Sequence, residues 1–334
     1  MWSNYAINYL FFVLEATTIV IAFIIIFAFI LGLSLKEKAN NKKGQLIIKS
    51  LNEVYQKRQE QLAYKVLSKS AFKKIHKANM EKVKLRQKEK ADELANVFVI
   101  DFCGDIKASQ SEALAEAINA ILQITKENDE VVIRLESPGG AVNGYGLAAA
   151  QLARIKEAKL KLTVIIDQVA ASGGYMMAAV ADTIIASPFA IVGSIGVVAQ
   201  LPNIHKLLLD KGVDVELHTA GKYKRTLTVL GKNTDENREK FKEELEVVHQ
   251  LFKKHIAHYR PQLDIKKVST GEYWFGQSAI ALKLVDELKT SDAYLLDKYH
   301  SGIFKLFHIE YRTKKSKIFA IFHTALKLFQ RIGP

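Results

Sequence analysis

Cysteine is nearly absent: Cys103 is the only one in 334 residues, so the chain has no internal disulfide and lacks the thiolates a structural zinc site needs. On its own, Cys103 is expected as a small buried residue. Charge is absent from Ala16 to Leu35, where ATTIVIAFIIIFAFILGLSL runs for twenty residues. As a helix, that run crosses roughly 30 Å of hydrocarbon, which predicts one transmembrane anchor within 1–35. No Lys or Arg precedes the run and no convincing small-x-small site follows it, which argues against a signal peptide. Between Lys36 and Leu94 there is no proline, and Gly44 is the one breaker. Leu46, Ile47, Leu51, Val54, Tyr55, Leu62, Val66 and Leu67 recur there at helical spacing. This predicts a basic helical extension over 36–95, read as a solvated stalk or as a partner-binding arm.

The remaining sequence is ample for a core, with 49% hydrophobic and 25% charged residues. The net charge of +13 lies largely in two segments beside apolar sequence. That arrangement suits an anionic membrane surface better than nucleic acid. Lys36, Lys38, Lys42 and Lys43 follow the apolar run and place that end in the cytoplasm by the positive-inside rule.

From Asn96 the pattern turns to short β-rich runs separated by helical ones, the signature of an α/β domain over 96–300. Strands are expected at 96–102, 130–136, 162–170 and 183–188, with helices near 109–125 and 143–157. Four apolar strands predict a largely buried parallel core. Residues 176–201 are apolar enough to suggest a second span, but Asp182, Ser187, Pro188 and the Gly193 to Gly196 turn interrupt them. A charged helix is expected at 237–259, and a turn plus an amphipathic helix at 270–288. The basic and apolar 311–331 is expected as an interfacial or core-docked helix within a C-terminal segment 301–334.

Two predicted strands end in glycine pairs, Ser137-Pro138-Gly139-Gly140 and Ala171-Ser172-Gly173-Gly174. Glycines there let the chain turn sharply and present N–H groups, and the carboxyl ends of strands are where α/β sheets build sites. Ser172 then stands at the start of a helix, either as a nucleophile beside oxyanion donors or as a plain N-cap. A serine nucleophile needs a base. The histidines at 205, 218, 249, 255 and 258 lie among helical or charged residues and read as surface or packing groups. Lysine is the other option, and TAGKYKRTLT at 219–228 offers Lys222 and Lys224 after a glycine turn.

ESPGG at 136–140, VAASGGYMMA at 169–178, VGSIGV at 192–197 and AGKYKR at 220–225 occur in the order and spacing of the signal peptide peptidase A family, which this chain resembles. EYWFGQSAIALKLVDEL resembles a later segment of that family. The resemblance implies a ClpP/crotonase-like stack of ββα units, here preceded by a transmembrane helix and a helical stalk. It implies Ser172 as nucleophile, Lys224 as general base with Lys222 the competitor, and Ser194 as the serine that orients the lysine. Gly139 and Gly173 would supply the oxyanion hole. No metal or cofactor is implied. The partners implied are hydrophobic peptide or protein substrates, membrane lipid and further copies of the chain in a ring, where serine and lysine come from one subunit or from two. Localisation would be the bacterial inner membrane, with the side of the catalytic domain left open. A crotonase-like acyl-CoA enzyme and a non-catalytic membrane scaffold are the rival readings.

Overall fold

The computed structural model describes residues 11–21, 44–88 and 94–312. Internal contacts divide the chain into a unit of residues 48–310, which holds every candidate site residue, and one of residues 1–47 and 311–334. In the latter, the Gly44 N–H donates to the Tyr311 hydroxyl at 3.0 Å.

The expected extension is not one helix. Strand β1 (Gln45–Ser50) opens it, and helices α1 (Leu51–Val66) and α2 (Lys69–Lys88) follow. Ser50 starts α1, its hydroxyl accepting from the Glu53 N–H at 3.3 Å. A break at Leu67 and Ser68 lets α2 fold back on α1, where the Asn79 amide donates to Glu60 at 3.1 Å. The charge-rich composition hid both the strand and the reversal.

The unit of residues 48–310 is built on strands β2 (Ala95–Cys103), β3 (Glu130–Glu136), β4 (Lys161–Ile166) and β6 (Thr183–Ala186), adjacent and parallel as the apolar runs predicted. With β1, β9 (Glu287–Leu288) and β10 (Phe304–Arg312) they form a seven-stranded sheet in the order β1-β10-β2-β3-β4-β6-β9. Alternation along β2 sends Val97 and Val99 to one face, where they join Val132, Ile165, Ile185, Leu295 and Leu306 in a buried cluster. Helix α3 (Ser111–Leu122) packs on β2, and α4 (Val142–Glu157) on β4.

The run expected as one strand at 162–170 is two. At Asp167 the chain leaves the large sheet, and that carboxylate accepts from the Ser291 N–H at 2.8 Å. Strand β5 (Val169–Ala171) then joins β7 (Ile191–Gly193) and β8 (Tyr273–Phe275) in a second sheet of order β5-β7-β8. Helix α5 (Gly173–Ala178) follows β5, and α5, β6 and β7 occupy the stretch considered for a second span.

Helices α6 (His205–Asp210), α7 (Asp235–Tyr259), α8 (Ile265–Val268), α9 (Gly276–Ala279) and α10 (Ser291–Ser301) complete the described elements. Of the turn plus amphipathic helix expected at 270–288, only α9 is helical, with β8 before it and turns and β9 after it; Gly276, which opens α9, presses against the Ser187 carbonyl, 2.1 Å from where a Cβ would stand. The sheet also runs past residue 300. Strand β10 pairs with β2, and the Leu306 N–H donates to Asn52 at 2.7 Å, so both flanking segments contribute to this unit. Cys103 is exposed at the end of β2, contrary to expectation.

Residues 22–35 of the predicted anchor and 313–331 of the predicted C-terminal helix lie outside the described residues. Residues 11–21 are helical, and among the described residues no helix is long and apolar enough to cross a membrane.

Candidate active site

Strand β5 delivers Ser172 to the start of α5 in a conformation that L-residues rarely adopt, with φ 52° and ψ −119°. A non-glycine residue held there costs about 1–3 kcal/mol unless its surroundings fix it, and the Ser172 N–H does so by donating to the Gly193 carbonyl at 2.8 Å. Ser172 occupies the N-cap position, yet its hydroxyl makes no capping bond. The plain-cap reading of this serine is therefore not what the structure shows.

Three further predicted residues meet it. Gly139, Gly173, Ser172 and Ser194 all line one cleft of about 780 Å³. Gly139 has φ +92°, and a Cβ on it would lie 2.7 Å from the Ser172 Cβ and 2.9 Å from the Gly173 nitrogen. Only glycine fits so close to the Ser172 turn. Ser194, also at positive φ (52°), is anchored by its N–H donating to the Glu272 carbonyl at 2.7 Å.

The Gly139 N–H donates to Ser137 Oγ at 3.1 Å, whereas the Gly140 and Gly173 N–H groups have no partner among the described residues. Ser137, buried under the turn, thus takes the N–H of Gly139, the donor that the resemblance implied for the oxyanion hole.

Lys224 is not brought to the cleft. It closes a turn, its N–H donating to the Gly221 carbonyl at 3.1 Å, in an exposed stretch after α6. Lys222 lies in the same turn, with Nζ 2.7 Å from Glu236 Oε1. That hydrogen bond holds its ammonium above the ordinary range, the wrong direction for a base.

Sequence reasoning missed what α7 contributes. Val248, His249 and Phe252 line the cleft opposite the glycine turns. The four-residue spacing of Val248 and Phe252 was a usable signal, and His249 was set aside as a surface or packing group. Its Nε2 is buried without a hydrogen-bond partner among the described residues, and its Nδ1 lies 3.8 Å from Glu246 Oε2. His255 on the same helix donates through Nε2 to the Met176 carbonyl at 2.9 Å, tying α7 to α5. Burial lowers the His255 pKa. No group of three or more His, Cys, Asp or Glu that could hold a metal ion occurs among the described residues.

The chain matches the profile of the N-terminal domain of peptidase family S49 over residues 4–152, and that of peptidase family S49 over residues 154–299. It belongs to peptidase family S49. It is 47% identical over 329 residues to the probable protease SohB of Haemophilus influenzae, covering 95% of this chain and 92% of that protein. To the probable protease SohB of Buchnera aphidicola subsp. Schlechtendalia chinensis it is 44% identical over 306 residues, covering 88% of this chain and 100% of that one. Among solved structures, a mutant of the 1510-N membrane-bound stomatin-specific protease aligns at a TM-score of 0.39 and 15% identity, over 61% of this chain and 84% of that one. That likeness is too remote to carry an argument. The family membership does: this S49 chain is a serine peptidase similar to the SohB proteases, as the motif order implied, and the acyl-CoA and scaffold readings fall away.

Proposed function

We propose that this peptidase cuts apolar peptide segments with Ser172 as nucleophile and Lys224 as general base, in a ring of subunits anchored to the bacterial inner membrane by residues 16–35. The observation that carries the reading is Ser172 itself: a strained serine, free of any capping bond, facing an open cleft beside unpartnered backbone N–H groups. Lys224 Nζ takes the Oγ proton as Oγ attacks the peptide carbonyl. The Gly173 N–H and the Gly140 N–H, in place of that of Gly139, hold the oxyanion. The amine leaves with the proton from Lys224, and water hydrolyses the acyl-enzyme. Ser194 orients the ammonium.

Because Lys224 does not line the cleft of its own chain, it serves Ser172 of a neighbouring copy, and the ClpP/crotonase-like stack supplies the ring. The exposed apolar residues of 198–217, Val198, Leu201, Leu207, Val213 and Leu217 among them, support such a contact. Substrate preference follows from the cleft wall of Met176, Val197, Val248 and Phe252, which matches apolar side chains.

Ser172→Ala and Lys224→Ala each abolish peptide cleavage while the chain stays folded. Mixing and reassembling the two variants restores about a quarter of wild-type activity, because one site in four draws an intact serine and an intact lysine from different chains. Full activity of Lys224→Ala, or no recovery on mixing, sinks the shared-site assignment. Loss of membrane association on deleting residues 1–35 tests the anchor, and reporter fusions after residue 95 assign the side.

A further inference from the structure

The two glycine turns belong to different sheets, joined at this point by a single bridge in which the Ser137 N–H donates to the Val169 carbonyl (2.8 Å) and the Ala171 N–H to the Ser137 carbonyl (3.0 Å). Tyr145, from the first turn of α4, lies beneath both turns and is fully buried. Its ring supports one: a Cβ on Gly173 would stand 2.4 Å from Tyr145 Cγ, so the Gly173 peptide lies directly on the ring. Its hydroxyl reaches the other: the phenolic oxygen is 2.5 Å from Ser137 Oγ and 2.9 Å from the Asp105 carbonyl.

The direction of each bond follows from the chemistry. A carbonyl only accepts, so the single Tyr145 proton goes to Asp105. Ser137 must then donate to the Tyr145 oxygen, which leaves Ser137 Oγ to accept the Gly139 N–H at 3.1 Å. The relay runs one way, from Gly139 through Ser137 and Tyr145 to Asp105, and such chains strengthen each member. Burial pushes the Tyr145 phenol up from its ordinary pKa, so the proton stays in place at neutral pH. Gly104 leaves room for the pair, since a Cβ there would stand 2.3 Å from both hydroxyl oxygens.

We propose that Tyr145 is a positioning residue for the acyl-transfer step. Its ring backs the Gly173 donor and its hydroxyl, acting through Ser137, fixes the Pro138–Gly140 turn, so one side chain sets the spacing of both oxyanion donors. This rests on the Ser172 reading above.

Tyr145→Phe keeps the ring and deletes the hydroxyl, and is tested with Ser137→Ala and the double variant. Each single variant lowers kcat about tenfold with KM within twofold of wild type, and the double variant loses no more than either, because both break one relay. Amide exchange at Gly139 rises about tenfold in Tyr145→Phe and in Ser137→Ala, a readout that needs no peptidase activity. Unchanged kcat, a loss carried by KM alone, multiplicative losses in the double variant, or unchanged Gly139 exchange overturns the proposal. Ser172→Ala run alongside separates the two levels: wild-type cleavage in that variant refutes the nucleophile assignment, while Gly139 exchange still reads the relay.

Discussion

Replacing Gly139 by alanine adds one methyl group at the point where the two glycine turns touch. The new Cβ would stand 2.7 Å from the Ala171 carbonyl oxygen, 2.7 Å from the Ser172 Cβ and 2.9 Å from the Gly173 nitrogen. Ordinary contact begins at 3.4 Å, so the turn or Ser172 must retreat by about 0.7 Å. Alanine at φ +92° costs about 1–2 kcal/mol in backbone strain, and the overpacking about 1–3 kcal/mol more. At roughly 2–4 °C per kcal/mol for a domain of this size, the melting temperature falls by about 4–20 °C. The catalytic cost is larger in proportion, since a misplacement near 1 Å costs about 100-fold. Gly146→Ala is the matched control. It lies in α4 with nothing within 4 Å of a new Cβ, so the same substitution stabilises by about 0.5–1 kcal/mol and leaves cleavage intact. Thermal unfolding and peptide cleavage on both variants decide the matter. A Gly139→Ala protein as stable and active as Gly146→Ala refutes the close-approach argument.

Arg260, only 3% exposed in its side chain, makes a two-pronged pair with Asp286 at 2.8 and 2.7 Å, and Asp286 also accepts the Ile184 N–H. Arg260→Ala leaves that carboxylate without its partner and costs about 3–5 kcal/mol, read by urea unfolding. Asp101 bears on acid stability. Burial alone would raise its pKa, but hydrogen bonds from His308 and Arg134 and their charges hold it at about 2, below the ordinary 3.8. Its stabilising contribution is therefore complete above about pH 4 and is lost as pH falls towards 2, and for this partly exposed group it amounts to about 1 kcal/mol. Asp101→Asn flattens that limb of a stability-against-pH curve; an unchanged limb contradicts the pairing. Tyr175→Phe removes the buried hydroxyl that donates to the Leu284 carbonyl at 2.8 Å, at a cost of about 1–2 kcal/mol in thermal unfolding.

The parallel core was legible because buried strands write themselves as apolar runs: the limits of β3 at Glu130 and Glu136 follow from composition alone. The two glycine turns and Ser172 were legible because turns at strand ends carry their own residue signature, whereas Ser194 was marked only by the family resemblance. The break at Asp167 was missed although Asp167 and Gln168 interrupt the apolar run there, because the partner that holds the Asp167 carboxylate, Ser291, is 124 positions away. The relay was equally hidden, because nothing local tells a tyrosine that packs from one that also bonds Ser137 eight positions back. Lys224 shows the opposite limit. Its motif spacing marks it, while the single chain leaves it exposed on a turn.

The most direct test of the central claim is the site of covalent labelling by a fluorophosphonate serine-hydrolase probe, mapped by peptide mass spectrometry on the full chain. The adduct is expected on Ser172, absent in Ser172→Ala and strongly reduced in Lys224→Ala. An adduct on another residue, or undiminished labelling of Ser172 in the Lys224→Ala protein, contradicts the account.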